Sequence, residues 1–364
     1  MKKVLLGLML VLVLTACGDK AETPKENTKP VVKIGAILPL SGSYAATGEA
    51  SKKAMLLALE DNIKENNKYK YEIIFEDNQM KPSKAAVITN KLVNVDKVDV
   101  LSSFFSAQGF VVAPIAERHK VLHFCNTWES ENIKPLGAYT FLQGTSWEDL
   151  YQKYLKYFND KEIKKVALFS INSGANYEFA KGLQNELNKN GITTAHEDYN
   201  LETRDFRILI QKYKVQDYEY FWFVGFPPVA DIILKQMHEL GISNSNIFAL
   251  GTEAGSEYDL YEGLRFYGMN SGSSQFKERL KVKQTYAASV SYDIIALIVN
   301  SFEAVAKDNN KPQIVDVINH IKSKGRYDCV SGGCKVLPNN FIVNPASLRK
   351  FENGKLVEIE DERI

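Results

Sequence analysis

From residue 31 onward the chain alternates between short apolar runs and amphipathic stretches of helical period, joined by links of a few residues. "VVKIGAIL" reads as a buried strand, and Glu49 to Asn62 as a helix with Ala54, Leu57, Ala58 and Asp61 on one side. "YEIIFED" is again a strand; "PSKAAVITNKLVN" opens with Pro82 and Ser83 and spaces Ala85, Ile88 and Leu92 helically. "VDVLSSF", Ala107 to His119 and "VLHFC" continue the series. After a break near residues 139–146 the unit starts again, with strands at "KKVALFSI", "TTAHEDYN", "YEYFWFVG" and "NIFAL". The helices between them are predicted over Tyr177 to Asn190, "TRDFRILIQKYK" capped by Thr203, and Pro228 to Leu240. β-α-β-α with short links demands a parallel sheet covered on both faces. Its repetition predicts two similar α/β lobes of roughly 120–150 residues each. Residues 284–307 read as one long helix, and the end of the chain, from "NNFIV" to "LVEIE", as a β-hairpin turning at Asn353-Gly354.

The first residues stand outside this pattern. Met1-Lys2-Lys3 is a basic start, and Val4 to Leu14 is an apolar run too short to span a bilayer as a mature helix. It ends at "LTACG", which resembles a bacterial lipobox; the alternative is an ordinary signal peptide with an incidental cysteine. The lipobox implies residues 1–16 as a cleaved signal peptide and acylation of Cys17. Residues 17–30, "GDKAETPKENTKP" among them, cannot bury a core and read as a tether. The expected location is outside the cytoplasmic membrane of a bacterium, facing periplasm or exterior and held by lipid. In such a compartment Cys329 and Cys334, which bracket "VSGG", suit a short-loop disulfide. Cys125 is expected as a buried thiol or as a group facing a cleft.

Chemistry is hard to find. A formal net charge of +1 over 364 residues argues against nucleic-acid binding. G-x-S-x-G, the P-loop, G-x-G-x-x-G after the first strand and H-E-x-x-H are all absent, so no cofactor is implied. His119 and His123 are four apart, but the second sits in a strand pattern, so the two diverge and no metal set is assembled. What recurs instead is a cluster of Gly, Ser, Thr, aromatic or acidic residues wherever a strand ends and a helix begins. The clusters are residues 41–48, 101–109, 125–132, 171–178, 224–228 and 250–257. In parallel α/β sheets ligands sit at such carboxyl ends, against helix N-termini.

In this order the motifs resemble type I periplasmic solute-binding proteins, in the branch of the branched-chain amino-acid receptors of ABC transporters. The matching pieces include "KIGAILPLSGSYAATGEASKKAMLLALE", "EDNQMKPSKAAVITNKLV", "KKVALFSINSGANYEFAKGLQNELNKNGI", "FVGFPPVADIILKQMHELGI", "LGTEAG" and "SYDIIALIVNSFEAV", spread over residues 31–325. The resemblance implies an α/β fold of two doubly wound parallel-sheet lobes joined by a three-strand hinge. Residues 31–147 and 276–338 would form the first lobe, and 148–275 and 339–364 the second. It implies ligand contacts from Tyr44 and Thr47 on the first turn and from Ser102 and Ser103, with Ser103 at the position that bonds a ligand carboxylate. Tyr177, Phe226 and Glu253 would serve from the second lobe, Glu253 as the partner of a ligand ammonium.

The third junction departs from the family pattern. Thr127, Trp128 and Glu129 stand there, with Glu129 at the key position, where a carboxylate would repel a ligand carboxylate. Either Ser130 serves by a shift of register, or the ligand is not a simple α-amino acid; Trp128, Glu129, Tyr177, Phe226 and Glu253 would suit an amine. The bland alternatives are that Trp128, Phe104 and Phe105 merely pack and that Glu129 is a solvated cap. The resemblance implies a binding protein rather than an enzyme. It would capture an amino acid, amine or amide for ABC permease subunits and touch a membrane only through its lipid. A sensor subunit of the same fold is the alternative.

Overall fold

The computed structural model describes residues 29–42, 44–64, 67–172, 174–226, 228–251, 258–269, 271–282, 286–307 and 310–359. The expected signal peptide and Cys17 lie outside the described residues.

The first half of the chain builds β1 (Val31–Leu38), α1 (Ala45–Asn62), β2 (Lys70–Asp77), α2 (Pro82–Lys91), β3 (Val100–Phe104), α3 (Ser106–His119), β4 (Leu122–Asn126) and β5 (Thr140–Thr145). The repeated unit follows as α4 (Trp147–Asp160), β6 (Lys165–Ile171), α5 (Gly174–Lys189), β7 (Thr193–Tyr199), α6 (Arg207–Lys214), β8 (Tyr220–Val224), α7 (Val229–Glu239), β9 (Ile247–Leu250), α8 (Tyr258–Tyr261) and β10 (Arg265–Met269). The chain then returns with α9 (Ser274–Leu280), α10 (Tyr286–Ala304), α11 (Ile314–Lys324), β11 (Arg326–Cys329), β12 (Gly332–Val336) and β13 (Phe341–Asn344). It ends on β14 (Ala346–Glu352) and β15 (Lys355–Ile359).

Two sheets result. The first has the order β11-β12-β13-β5-β4-β3-β1-β2 and the second β15-β14-β10-β9-β8-β6-β7. β1 pairs in parallel with both β2 and β3, and β6 with both β7 and β8. The order therefore reverses between β1 and β3 in one lobe and between β6 and β8 in the other. At these points the turns leave opposite faces of the sheet and open a crevice. Strands such as Val100–Phe104 and Tyr220–Val224 are buried at every residue, as parallel strands sandwiched by helices must be.

The chain passes between the sheets three times. The first passage is at Ser146, whose hydroxyl caps α4 through the Asp149 amide at 3.0 Å. Glu131 reinforces that helix start by accepting the Trp147 amide at 2.8 Å. The second passage precedes α9, because Phe276 and Leu280 of α9 pack on Ala50 and Ala54 of α1 in the first lobe. The third is at Pro345. This corrects the expected boundary at residue 338. Phe341 and Ile342 are fully buried and β13 pairs with β5, Phe341 opposite Leu142 and Asn344 opposite Thr145, so residues 341–344 belong to the first lobe. The final hairpin is only β14 and β15, closed at Glu352 and Lys355. Its turn has Asn353 at φ +52° and Gly354 at φ +68°, the left-handed pair that an Asn-Gly turn supplies. α6 begins at Arg207, not Thr203, because Phe206 is drawn into the core and its amide donates to Gln236 Oε1.

Cys329 and Cys334 form a disulfide across β11 and β12, with Cα atoms 5.8 Å apart. Asp293 of α10 receives that hairpin: its carboxylate accepts the Val330 amide and the Ser331 hydroxyl, each at 2.7 Å. Burial pushes the Asp293 carboxyl up to about 7, against the downward pull of those two donors.

Candidate functional site

The two crevices face each other and enclose a cavity of about 280 Å³. Its first-lobe wall comes from the turns after β1, β2, β3 and β4: Tyr44, Met80, residues 104–107 and residues 126–128. Its second-lobe wall comes from Ala175, Asn176, Phe226, Leu250, Gly251 and Gly268. Among the described residues the lining holds no charged side chain.

The turn after β1 is held by Asp77 at the end of β2. Its carboxylate accepts the Leu40 amide at 2.9 Å and the Ser41 hydroxyl, and these bonds hold it below the usual carboxylate range despite opposing desolvation. Gly48 lets α1 run close under β1, since a Cβ there would lie 2.1 Å from the Pro39 carbonyl oxygen. Tyr44, just before α1, lines the cavity with its ring edge-on to Phe105, centroids 5.4 Å apart; burial pushes its phenol above the ordinary range. Thr47 lies on the buried side of α1, outside the lining.

The turn after β3 is the sharpest. Phe105 adopts φ +68° and ψ 144°, a costly conformation for an aromatic residue. It is held there by its amide donating to the Asn126 carbonyl at 2.8 Å, while its own carbonyl accepts the amides of Gln108 and Gly109, each at 3.0 Å. α3 then starts at Ser106 with no side-chain cap. The first amides of a helix have no partner within it, so those of Ser106 and Ala107, both in the lining, are available to a ligand. Ser102 and Ser103 are absent from the described lining. Both are fully buried within β3, and Ser103 Oγ is engaged with His123 Nε2 at 2.9 Å. The serine that reaches the cavity is Ser106, two phenylalanines further along the same junction.

The turn after β4 meets this one. Thr127 Oγ1 and Ser106 Oγ are hydrogen-bonded at 2.7 Å, and Ser106 Oγ also donates to the Trp128 carbonyl at 3.2 Å. Glu129 is absent from the described lining. Half-buried, its carboxyl is pushed up by desolvation, with the Ser106 hydroxyl opposing. Trp128 lines the cavity and reaches the other lobe, where its ring packs on Phe179 and Trp147 at 5.3 and 6.1 Å.

In the second lobe Phe226 is in the wall, while Tyr177 is not: its ring packs on His196 at 5.6 Å with Lys181 Nζ 5.2 Å from its centroid. Asn176, one residue earlier on α5, takes the cavity position. Glu253 lies outside the described residues. Cys125 is buried beneath the cavity, its thiol pushed up to about 12 by burial. Met80 lies outside the clusters singled out from the sequence, and Asn126 and Leu250 fall inside them without being named as contacts. They sit at strand ends like the others, but carry no glycine, hydroxyl or charge pattern of their own.

The site thus offers two free amides and two hydroxyls at one end, Asn126 and Asn176 as further polar groups, and aromatic and aliphatic walls elsewhere. Residues 31–340 match the periplasmic binding protein family. The chain belongs to that family. Its members are ligand-binding components of transporters. Among curated relatives, the Leu/Ile/Val-binding protein BraC3 of Rhizobium johnstonii is 25% identical over 241 residues. The match covers 61% of this chain and 65% of that relative, just under two thirds of its length. Among solved structures, the branched-chain amino acid transporter substrate-binding protein of Streptococcus pneumoniae in complex with isoleucine superposes with a TM-score of 0.73 at 21% identity. It covers 90% of this chain and 100% of its own. An ABC-transporter solute-binding protein of R. palustris in complex with 4-hydroxybenzoate gives 0.76 at 18% identity, over 91% and 96%. These likenesses establish the fold. Among the described residues no helix of this binding protein is long and apolar enough to cross a membrane.

Proposed function

We propose that this binding protein captures a small carboxylate with an apolar or aromatic body between its lobes and delivers it to an ABC permease. The observation that carries the reading is the asymmetry of the cavity: hydroxyls and unpaired helix amides at the Ser106–Thr127 end, carbon surfaces elsewhere, and no charged side chain in the described lining. A carboxylate at the N-terminus of α3 would take the amides of Ser106 and Ala107 and the Thr127 hydroxyl, aided by the helix dipole. Phe104, Phe105, Trp128 and Phe226 would cover its body. This departs from the amine favoured by the residue pattern alone, because Glu129 is absent from the described lining. The relatives support the class: one named structure holds isoleucine and another 4-hydroxybenzoate, and both are carboxylates with hydrocarbon bodies.

Export and anchoring belong to the same proposal. Cleavage before Cys17 and acylation of that residue would leave residues 18–30 as the tether, and the lipid would keep the receptor near its permease. Binding the ligand would draw the lobes together, exchanging its water contacts for the amides and hydroxyls described.

The test is thermal unfolding of the protein from Lys20 onward against branched-chain amino acids, benzoates and hydroxybenzoates, and carboxylate-free amines. A ligand that binds the folded state raises the melting temperature by mass action. A shift with carboxylates that disappears on esterification supports the reading; shifts with the amines alone refute it.

A further inference from the structure

A second constellation lies away from the ligand cavity, where the hairpin β11–β12 meets α10 and the central strands. One ligand atom each from Asp293, Cys329 and Cys334 lies within 4.8 Å of the others. They border a small pocket of about 30 Å³, which Gln143 of β5 also lines. Gln143 is 1% exposed, and its Oε1 has no hydrogen-bond partner. Around Cys334 Sγ stand two amide nitrogens, Asn344 Nδ2 at 3.4 Å and Gln143 Nε2 at 4.0 Å. Asp293 is almost completely buried and forms no ion pair among the described residues.

As a disulfide the two sulfurs are weak ligands. Reduced, the same atoms become a donor set of different chemistry. An external dithiol gives two electrons to the S–S bond and becomes a disulfide itself, and its two protons leave Cys329 and Cys334 as thiols. Cys329 is the partly exposed partner and offers the point of attack. A divalent metal then displaces the thiol protons. Two thiolates and a carboxylate would place three negative charges in a buried space, and a soft dication neutralises them where no protein cation does. Zinc takes sulfur at about 2.3 Å and oxygen at about 2.0 Å, so its ligand atoms stand about 4 Å apart; the two sulfurs, bonded in the disulfide, would have to part to about that distance on reduction, with the Asp293 carboxylate within 4.8 Å of both. We propose that the dithiol form of this protein binds one thiophilic divalent cation of the zinc class through Cys329, Cys334 and Asp293, with the Gln143 carboxamide, turned over to present its unpartnered oxygen, as fourth donor.

The site adjoins the hinge. Gln143 stands two residues before the end of β5, which leads into the first passage, and Asn344 immediately precedes Pro345 at the third. The cation would therefore tie the hairpin to two of the strands about which the lobes turn.

Cadmium is the probe. The purified protein is reduced with a phosphine, freed of reductant under anaerobic conditions and titrated while the ultraviolet sulfur-to-cadmium charge-transfer band is read. The reduced protein should saturate at one cadmium per chain, the oxidised protein should bind none, and cadmium should raise the melting temperature of the reduced form. Asp293→Asn, which removes the carboxylate charge from the donor set, should weaken binding by about tenfold or more; Gln143→Ala should weaken it in the same direction. An unfolded dithiol would also bind cadmium, but indifferently to residue 293 and with no rise in melting temperature. Absence of a saturable band, equal affinity in Asp293→Asn, or an unchanged melting temperature each overturns the site.

Discussion

The indole of Trp128, carried on the turn after β4 of the first lobe, packs 5.3 Å from the ring of Phe179 on α5 of the second lobe. Trp128 also lines the ligand cavity, so one side chain touches both lobes and the space between them. An aromatic pair of this kind contributes about 1 kcal/mol beyond its buried area. Trp128→Ala is expected to weaken ligand binding about tenfold and to lower the melting temperature of the ligand-free protein. Titration calorimetry and a thermal melt check the two effects.

Two serines of one junction separate function from packing. Ser106→Ala removes a hydroxyl at the amide-bearing end of the cavity and should cost about 1–2 kcal/mol of binding for a carboxylate ligand. Ser103→Ala, buried against His123, should leave affinity within about twofold while lowering stability by about 1 kcal/mol. Equal losses of affinity in both variants would contradict the assignment.

Glu129 gives the site a pH dependence. The Ser106 hydroxyl donates to the Trp128 carbonyl and lies near enough to the Glu129 carboxylate to influence its ionisation. Desolvation raises the Glu129 carboxyl above its ordinary range, so on going to neutral pH it loses a proton beside the proposed carboxylate end. Affinity for an anionic ligand should fall as pH rises through that titration, and Glu129→Gln should flatten the profile. Dissociation constants between pH 4 and 8 decide it.

His123 gives the fold another. Enclosed between Ser103 and Thr140, it is lowered by burial to about 3, whereas the unfolded chain protonates near 6.5. Below 6.5 the unfolded state therefore binds a proton that the folded state refuses. The contribution of neutral His123 is complete above 6.5 and is lost progressively as pH falls toward 3. His123→Gln should remove this part of the acid sensitivity, read from denaturant midpoints across that interval.

Gly48→Ala tests how closely α1 approaches β1. A Cβ 2.1 Å from a backbone oxygen cannot be relieved by a side-chain movement, so the helix must shift. A loss of about 1–3 kcal/mol of stability is expected from chemical unfolding.

The apolar runs and helical periods from Val31 to Leu250 carried the α/β class, the repeat and the location of the site at strand ends, because both signals are local. Burial of both sheet faces imposes continuous apolar strands, and helix starts expose amides whatever the partner. The junction at residues 101–109 was legible as a site, but which of its serines faces the ligand was not. That depended on Phe105 turning to φ +68°, which buries Ser103 in the strand and brings Ser106 to the cavity. The same limit applied to "NNFIVNP": residues 341–344 read as part of the last hairpin, yet they pair with β5, nearly two hundred residues earlier. Glu129, a charge in the sequence at the key position, is absent from the described lining. The sequence alone determined which segments are strands and helices and where their exposed ends fall. Only tertiary structure decided which side chains meet there, since a strand's periodicity sets which face a residue takes but not which distant strand or lobe closes over it.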